Sequence, residues 1–393
     1  MTRMEVYHGV PRALPLPSCM AGSAIMPRPL LLPRWQLCVV LLLLSGPRVD
    51  SAQYYWNVAS PNNTELERNI SASVRTIVFG QVALLNQHFG HFPCLGCGPN
   101  KTDMYGGIPQ RSDLSQHIAA VSRDLDTCSG VGLYTHCVPP NFTGFVVVDY
   151  ESWRANWGWT SPTYREASIN HTRTRSPQLN ATALAAAAEQ EYNASAMAFL
   201  IATLRTIRAK RPHLMGLGMY DYPLGLYYPF GFGINGSCGA ECPPSDCPHP
   251  QCGAGQRAQD NAMMPLYKEM TALHPSLYLT HPSDWNATDA RHNQEFIFGA
   301  VAESFRVAAL VGLPPSAVVP YTWYRYHDRG PASLQLLSDS DAALEFAATA
   351  HQQLDKVERY LIYGAESPCC HGVRVQQTSA FFTRHASLLN RPM

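Results

Sequence analysis

The stretch that decides the fold is Phe145-Val146-Val147-Val148-Asp149-Tyr150-Glu151-Ser152-Trp153-Arg154. A continuous apolar run rich in β-branched residues suits a strand buried on both faces, as in a parallel sheet. The run ends in acids, and because side chains alternate along a strand, Asp149 and Glu151 point the same way from its end. Apolar runs closed by polar or aromatic residues recur at 214–220, 276–279, 318–321 and 360–363. Helical stretches lie between them. One is the Ala- and Leu-rich 183–210, stopped by Arg211-Pro212; another is 294–310, ending before Gly312 and Pro314. A third runs from about 340 to 358, behind a Ser/Asp cluster that can cap it. Strand, crossover helix, strand is the grammar of an α/β fold. Residues 53–393 therefore predict a single distorted (β/α) TIM-like barrel with loop insertions and disulfides. An open doubly wound sheet competes, but no Gly-x-Gly-x-x-Gly follows a strand to support it.

Residues outside the barrel point to export. Arg28 and Arg34 precede the apolar run 37–44, and small residues follow up to Ala52, the layout of a secretory leader over 1–52. The run is short of the roughly 20 residues that span a bilayer. The stretch ahead of it is long, so Met20 and Met26 are alternative starts. Sequons stand at Asn62, Asn69, Asn100, Asn141, Asn170, Asn180, Asn193, Asn235 and Asn286. Ten cysteines beyond the leader read as disulfides, four of them (Cys238, Cys242, Cys247, Cys252) in a Gly/Pro-rich insertion at about 228–256. Zinc is the lesser reading of that cluster. No apolar tail closes the chain, so a soluble, secreted monomer without a stable membrane anchor is expected, with a lysosome-like compartment as the other destination. With 29 basic and 29 acidic side chains, nucleic acid held by bulk charge is not expected as a partner.

The ends of barrel strands form the mouth where active sites sit. Two carboxyls as close as Asp149 and Glu151 cannot both ionise cheaply; they share a proton and one pKa rises. A Glu kept protonated near neutrality is the acid that a glycosidic leaving oxygen requires. A helix cap or an ion pair with Arg154 would explain the same residues without chemistry. Aromatics gather at the other strand ends, however: Tyr220, Tyr278, Tyr321 with Trp323, and Tyr363. Trp153, Trp157 and Trp159 follow the acids, and sugars dock on aromatic faces.

The segment 146–154 resembles the hyaluronidase signature, an apolar strand running into Asp-Trp-Glu-x-Trp-Arg. Upstream, Gly90-His91-Phe92-Pro93 and Gly106-Gly107-Ile108-Pro109-Gln110 resemble the family's stretch ending in Gly-Gly-x-Pro-Gln. Downstream, Gly218-Met219-Tyr220-Asp221-Tyr222-Pro223 is similar to its Gly-x-Tyr-x-Phe-Pro, and 257–261, 274–278 and 319–321 follow in order. The resemblance covers about 54–380. It implies a distorted (β/α) barrel and endo-hydrolysis of hyaluronan or chondroitin with retention. The substrate's own N-acetyl oxygen then serves as nucleophile, an exception to the two-carboxylate scheme. Carried across, Glu151 is the proton donor and Asp149 its tuning neighbour. Tyr220 and Tyr278 hold the acetamido group, and Trp153, Tyr321 and Tyr363 bind substrate. No metal or cofactor is implied.

Several residues depart from the pattern. Tyr150 and Tyr363 stand where members have Trp, Ala300 where many have Arg, Leu85 where they have Tyr, and Gly225 where a disulfide Cys is usual. The tail resembling epidermal growth factor, found in many vertebrate members, has no counterpart here. A glycosaminoglycan-binding protein that has lost turnover is the alternative reading. A chitinase-like hydrolase is a weaker one, since Phe145 and Val147 occupy the places of its further aspartates.

Overall fold

The computed structural model describes residues 52–57, 64–127, 138–223, 253–327, 331–347, 357–364 and 371–390. The leader up to residue 51, the insertion through Cys252 and every cysteine except Cys94 and Cys97 lie outside them. So do Asn62, Asn235 and Gly225.

Seven short strands are formed by the apolar runs: β1 (Gln53–Asn57), β2 (Ile77–Val78), β3 (Val82–Asn86), β4 (Phe145–Asp149), β5 (Gly216–Met219), β6 (Tyr321–Thr322) and β7 (Arg359–Tyr363). They pair in parallel in two sheets, ordered β2-β1-β7-β6 and β3-β4-β5. The stretch expected as a strand at 276–279 is not continuous. It joins the two sheets through isolated bridges, with Tyr220 pairing to His274, Leu273 to Val318 and Ser276 to Tyr321. Pro275, which has no N–H to donate, interrupts the ladder there. Through these bridges the two sheets join on the side of β5 and β6, giving the distorted barrel that the sequence predicts.

Between the strands run α1 (Thr64–Ser73), α2 (Leu114–Asp126), α3 (Pro162–Arg175), α4 (Ala181–Lys210), α5 (Gly253–Ala262), α6 (Met264–Tyr267), α7 (Ala287–Val311) and α8 (Asp339–Ala347). After β7 come α9 (His371–Arg384) and α10 (Ala386–Leu389). The Asn180 side chain accepts from Ala183 N–H and starts α4. Along α4, Leu184, Ala188, Tyr192, Ala196, Phe199, Leu204 and Ile207 recur at helical spacing as its buried stripe. Helix α7 begins well before the expected residue 294, because Asn286 caps it by accepting from Asp289 N–H at 2.9 Å. It ends at Gly312, whose φ of +79° is the left-handed conformation of a helix stop. Helix α8 is followed only to Ala347, and the rest of the expected 340–358 helix falls outside the described residues.

Strand β4 separates two cores. Phe145 and Val147 pack inward with Tyr55, Leu84, Leu277 and Tyr321. Val146, Val148 and Tyr150 pack outward with Val121 of α2 and Phe199, Leu200 and Leu204 of α4. On β5 the inward positions are glycines. A Cβ on Gly216 would lie 2.6 Å from the Phe145 ring, and one on Gly218 would lie 2.3 Å from the Ala272 carbonyl oxygen. Chain 272–274 can approach the barrel so closely only because those side chains are absent.

Candidate active site

The alternation that sends Tyr150 outward sends Asp149 and Glu151 to the mouth. Tyr150 is 2% exposed, packs on Phe92 at 4.1 Å and donates its hydroxyl to the Phe89 carbonyl. Where the family has Trp, this ring is a strut of the outer layer. Glu151 is open to solvent. Asp149 sits deeper, in register with Asn86 of β3, and its Oδ1 is buried with no hydrogen-bond partner among the described residues. Burial raises the Asp149 carboxyl to about 8, helped by the charge of Glu151 and opposed by Arg154. The sequence reading gives the raised pKa of this pair to the glutamate; the structure gives it to Asp149, the buried member.

Arg154 reaches Asp221 at 3.2 Å, and both side chains are largely buried. Asp221 adopts φ +62° and donates its N–H to the His274 carbonyl at 2.9 Å, so the chain turns sharply after Tyr220. His274 is fully buried, with its Nδ1 2.9 Å from the Val319 carbonyl, which makes Nδ1 the protonated nitrogen. Burial lowers its pKa to about 4 and keeps it neutral.

Four tyrosines form one aromatic wall. Tyr220 lies 5.1 Å from Tyr321 and 6.0 Å from Tyr278, and Tyr278 lies 6.3 Å from Tyr363. Trp323 completes the wall, 5.7 Å from Tyr278 and 5.3 Å from Tyr363. The Tyr220 hydroxyl is 3.4 Å from that of Ser276. Tyr321 is 1% exposed, and its hydroxyl accepts from Asn57 Nδ2 at 2.8 Å. Burial pushes the Tyr321 phenol well up, with the charges of Asp149 and then Tyr363 acting in the same sense, so it stays neutral beside the acid. The structure therefore brings Asp149, Tyr220, Tyr278, Tyr321 and Tyr363 to one mouth, with Glu151 at the end of the same strand.

Trp153 is not among them. It is 1% exposed, stacks on Phe92 at 4.8 Å and spends its indole N–H on the Pro93 carbonyl at 2.7 Å. A buried face offers a sugar nothing, so Trp153 is a packing residue here. Trp157 likewise turns its ring to Tyr192 of α4 at 5.5 Å. Ala300 is 4% exposed in the inner core, where its methyl group replaces any cleft cation. Leu85 faces the outer layer, and it is Asn86 that presents its side chain beside Asp149.

Asn57 and Asn86 are functional-site neighbours that the sequence reading passed over. The same signal marks both, a polar residue closing an apolar run, in Tyr54-Tyr55-Trp56-Asn57 and Val82-Ala83-Leu84-Leu85-Asn86. Among the described residues, no group of three or more His, Cys, Asp or Glu is placed to hold a metal ion, and no helix is long and apolar enough to cross a membrane. Cys94 and Cys97 form a disulfide.

Comparison with known proteins gives a consistent picture. Residues 69–343 match the model of the hyaluronidase glycoside-hydrolase family. Human hyaluronidase-1 is 30% identical over 233 residues, which cover 58% of this chain and 47% of that protein. The honeybee (Apis mellifera) hyaluronidase is 28% identical over 261 residues, 65% of this chain and 60% of its own. The chain thus spans about half the length of the mammalian relatives it matches. In three dimensions it resembles the crystal structure of bee venom hyaluronidase, with a TM-score of 0.67 at 21% identity, covering 87% of this chain and all of that one. The same enzyme in complex with a hyaluronic acid tetramer gives 0.65 at 22% identity, covering 86% of this chain and 99% of that one. These structures support the barrel, and the matched family model, extending over most of the barrel with the acidic strand end inside it, makes this chain a member of the hyaluronidase family.

Proposed function

We propose that this protein is an endo-glycosidase that hydrolyses β-1,4 N-acetylhexosaminide bonds of hyaluronan or chondroitin with retention. The observation that carries this reading is the carboxyl pair at the end of β4, one member buried with its pKa pushed up to about 8 and the other open to a mouth walled by tyrosines. Glu151, within reach of solvent and substrate, donates the proton to the leaving oxygen. Asp149 holds a proton through neutrality on one oxygen and accepts the acetamido N–H on the other, its unpartnered Oδ1, as the acetamido oxygen bonds to the anomeric carbon and the bond to the leaving oxygen breaks. Tyr220 and Tyr278 fix that acetamido group and Tyr363 lines the ring's path, while Tyr321, as buried as Trp153, backs the wall behind them. Export behind the 1–52 leader, as a monomer, belongs to the same reading. So does a mature unit from residue 53 onward carrying the Cys-rich insertion.

Purified protein incubated with hyaluronan and with chondroitin over pH 4 to 7, with products sized, tests the proposal. Glu151→Gln should bind either polymer and release no oligosaccharides. Turnover in that variant equal to wild type would remove Glu151 from the mechanism. A wild-type protein that binds without cutting would favour the binding-protein alternative, to which the loss of a cleft cation at Ala300 lends its weight.

A further inference from the structure

Glu345 lies on α8, outside the ring of strands, and its side chain is fully buried. Its Oε1 accepts the Trp323 N–H at 2.6 Å, the Leu279 N–H faces the same carboxyl, and Oε2 is buried with no hydrogen-bond partner among the described residues. Leu279 follows Tyr278 in the bridging stretch, while Trp323 follows the end of β6. One carboxyl is thus bonded to one strand end and faces its neighbour, each carrying an aromatic ring of the mouth. We propose that Glu345 is a positioning residue that sets the spacing of Tyr278 and Trp323, and through them Tyr363, across the sugar cleft. This rests on the carbohydrate-cleaving reading of the site and adds to it a residue that touches no substrate.

The rest of α8 supports a clamping role. Four residues earlier, on the same face, the buried Asp341 accepts the Ser283 N–H at 2.9 Å, the Tyr326 hydroxyl at 2.5 Å and the Ser338 hydroxyl at 3.0 Å. The helix therefore ties down the chain after Tyr278 at Ser283 and the chain after β6 at Trp323 and Tyr326. Burial holds the Glu345 carboxyl well above the usual range, with the Asp341 charge acting in the same sense against the N–H groups of Trp323 and Leu279. A neutral carboxamide can then take its place: the Gln oxygen accepts the Trp323 N–H as the carboxyl oxygen does. An aspartate, one methylene shorter, cannot reach it.

Kinetics of the full chain on hyaluronan and chondroitin, normalised to the folded fraction by near-ultraviolet circular dichroism, decide the matter. Glu345→Asp should raise KM about tenfold with kcat changed by no more than about twofold, because the wall that receives the sugar is displaced while the acid is untouched. Glu345→Gln should return KM to within about twofold of wild type. A folded Glu345→Asp protein with wild-type KM overturns the inference, as does a Glu345→Gln protein as impaired as the aspartate. If Glu345→Asp does not fold, Trp323→Leu takes its place, with the same rise in KM expected and an unchanged KM fatal. Wild-type protein that cleaves neither polymer sinks the reading of the site itself, and the inference with it.

Discussion

At Asp149 two effects act in one direction. The carboxyl is out of water at the end of β4, and a second carboxylate stands two residues on, so ionisation is resisted up to about pH 8. In the proposed mechanism a buried acid of this kind keeps one proton in the pair while Glu151 passes another to the substrate. Because the raised pKa belongs to a group needed in its protonated form, activity should fall as pH rises through that range. Asp149→Asn removes the carboxyl whose titration near 8 sets that limb. The expected result is kcat/KM lower by about ten- to a hundredfold, with the alkaline limb of the pH profile moved down by about one unit or more. A profile with an unmoved alkaline limb would disprove the proton-sharing argument. The carboxyl pair itself was legible from the period-2 alternation of 145–151. Which member would be raised was not, since that depends on depth below the rim, and depth is set by Asn86 and by residues some 70 and 170 positions away, Asp221 and Tyr321.

At the scale of elements, the sequence shows where strands and helices lie better than which way their flanking residues turn. Strands β4 and β7 and helix α4 fall within two residues of expectation, since long runs with a single period leave little choice. The segment after β4 misled because its three tryptophans carry no period. Trp153 packs against Phe92 and lies 5.7 Å from Phe199 of α4, pinning the loop that follows the catalytic strand to the outer helix layer. Trp153→Phe keeps most of that stacking and loses the bond to Pro93. Thermal midpoint should drop, with a destabilisation of about 1–3 kcal/mol from the unpaired Pro93 carbonyl and the smaller ring, while KM per folded molecule stays at the wild-type value. A KM several-fold higher in a protein of unchanged stability would return Trp153 to the list of sugar contacts.

Over the whole molecule, buried titratable groups pull stability in opposite directions along the pH axis. Asp149, Asp260 and Glu345 have carboxyls raised chiefly by burial. Their contribution is complete below the ordinary carboxylate range and is lost as pH climbs, for Asp149 through about 8. His274 and His117 are buried neutral, with pKa values lowered to about 4 and about 3. Theirs is complete above the ordinary value of 6.5 and is lost as pH falls toward those figures. The slopes oppose each other between about pH 4 and 6.5, where three carboxyls outnumber two imidazoles, so the thermal midpoint should peak at about pH 4 and decline toward pH 8. A midpoint that keeps rising up to pH 8 would contradict this balance. Composition alone indicates none of it, because the 29 acidic and 29 basic side chains cancel on paper while these few groups are set apart by burial.

The glycines of β5 bear on what the cleft can hold. Tyr220 ends the strand that carries Gly216 and Gly218, and Tyr278 ends the neighbouring stretch pressed against them. A methyl group at either position could enter only by prising these two chains apart, and the tyrosines would travel with them. On the proposed reading, the gauge of the cleft, the distance over which a single sugar ring would meet hydroxyls on both sides, is thus fixed by two hydrogen atoms on the floor of the barrel. Any attempt to refit the mouth to a bulkier polymer would have to begin there, beneath the residues that touch it.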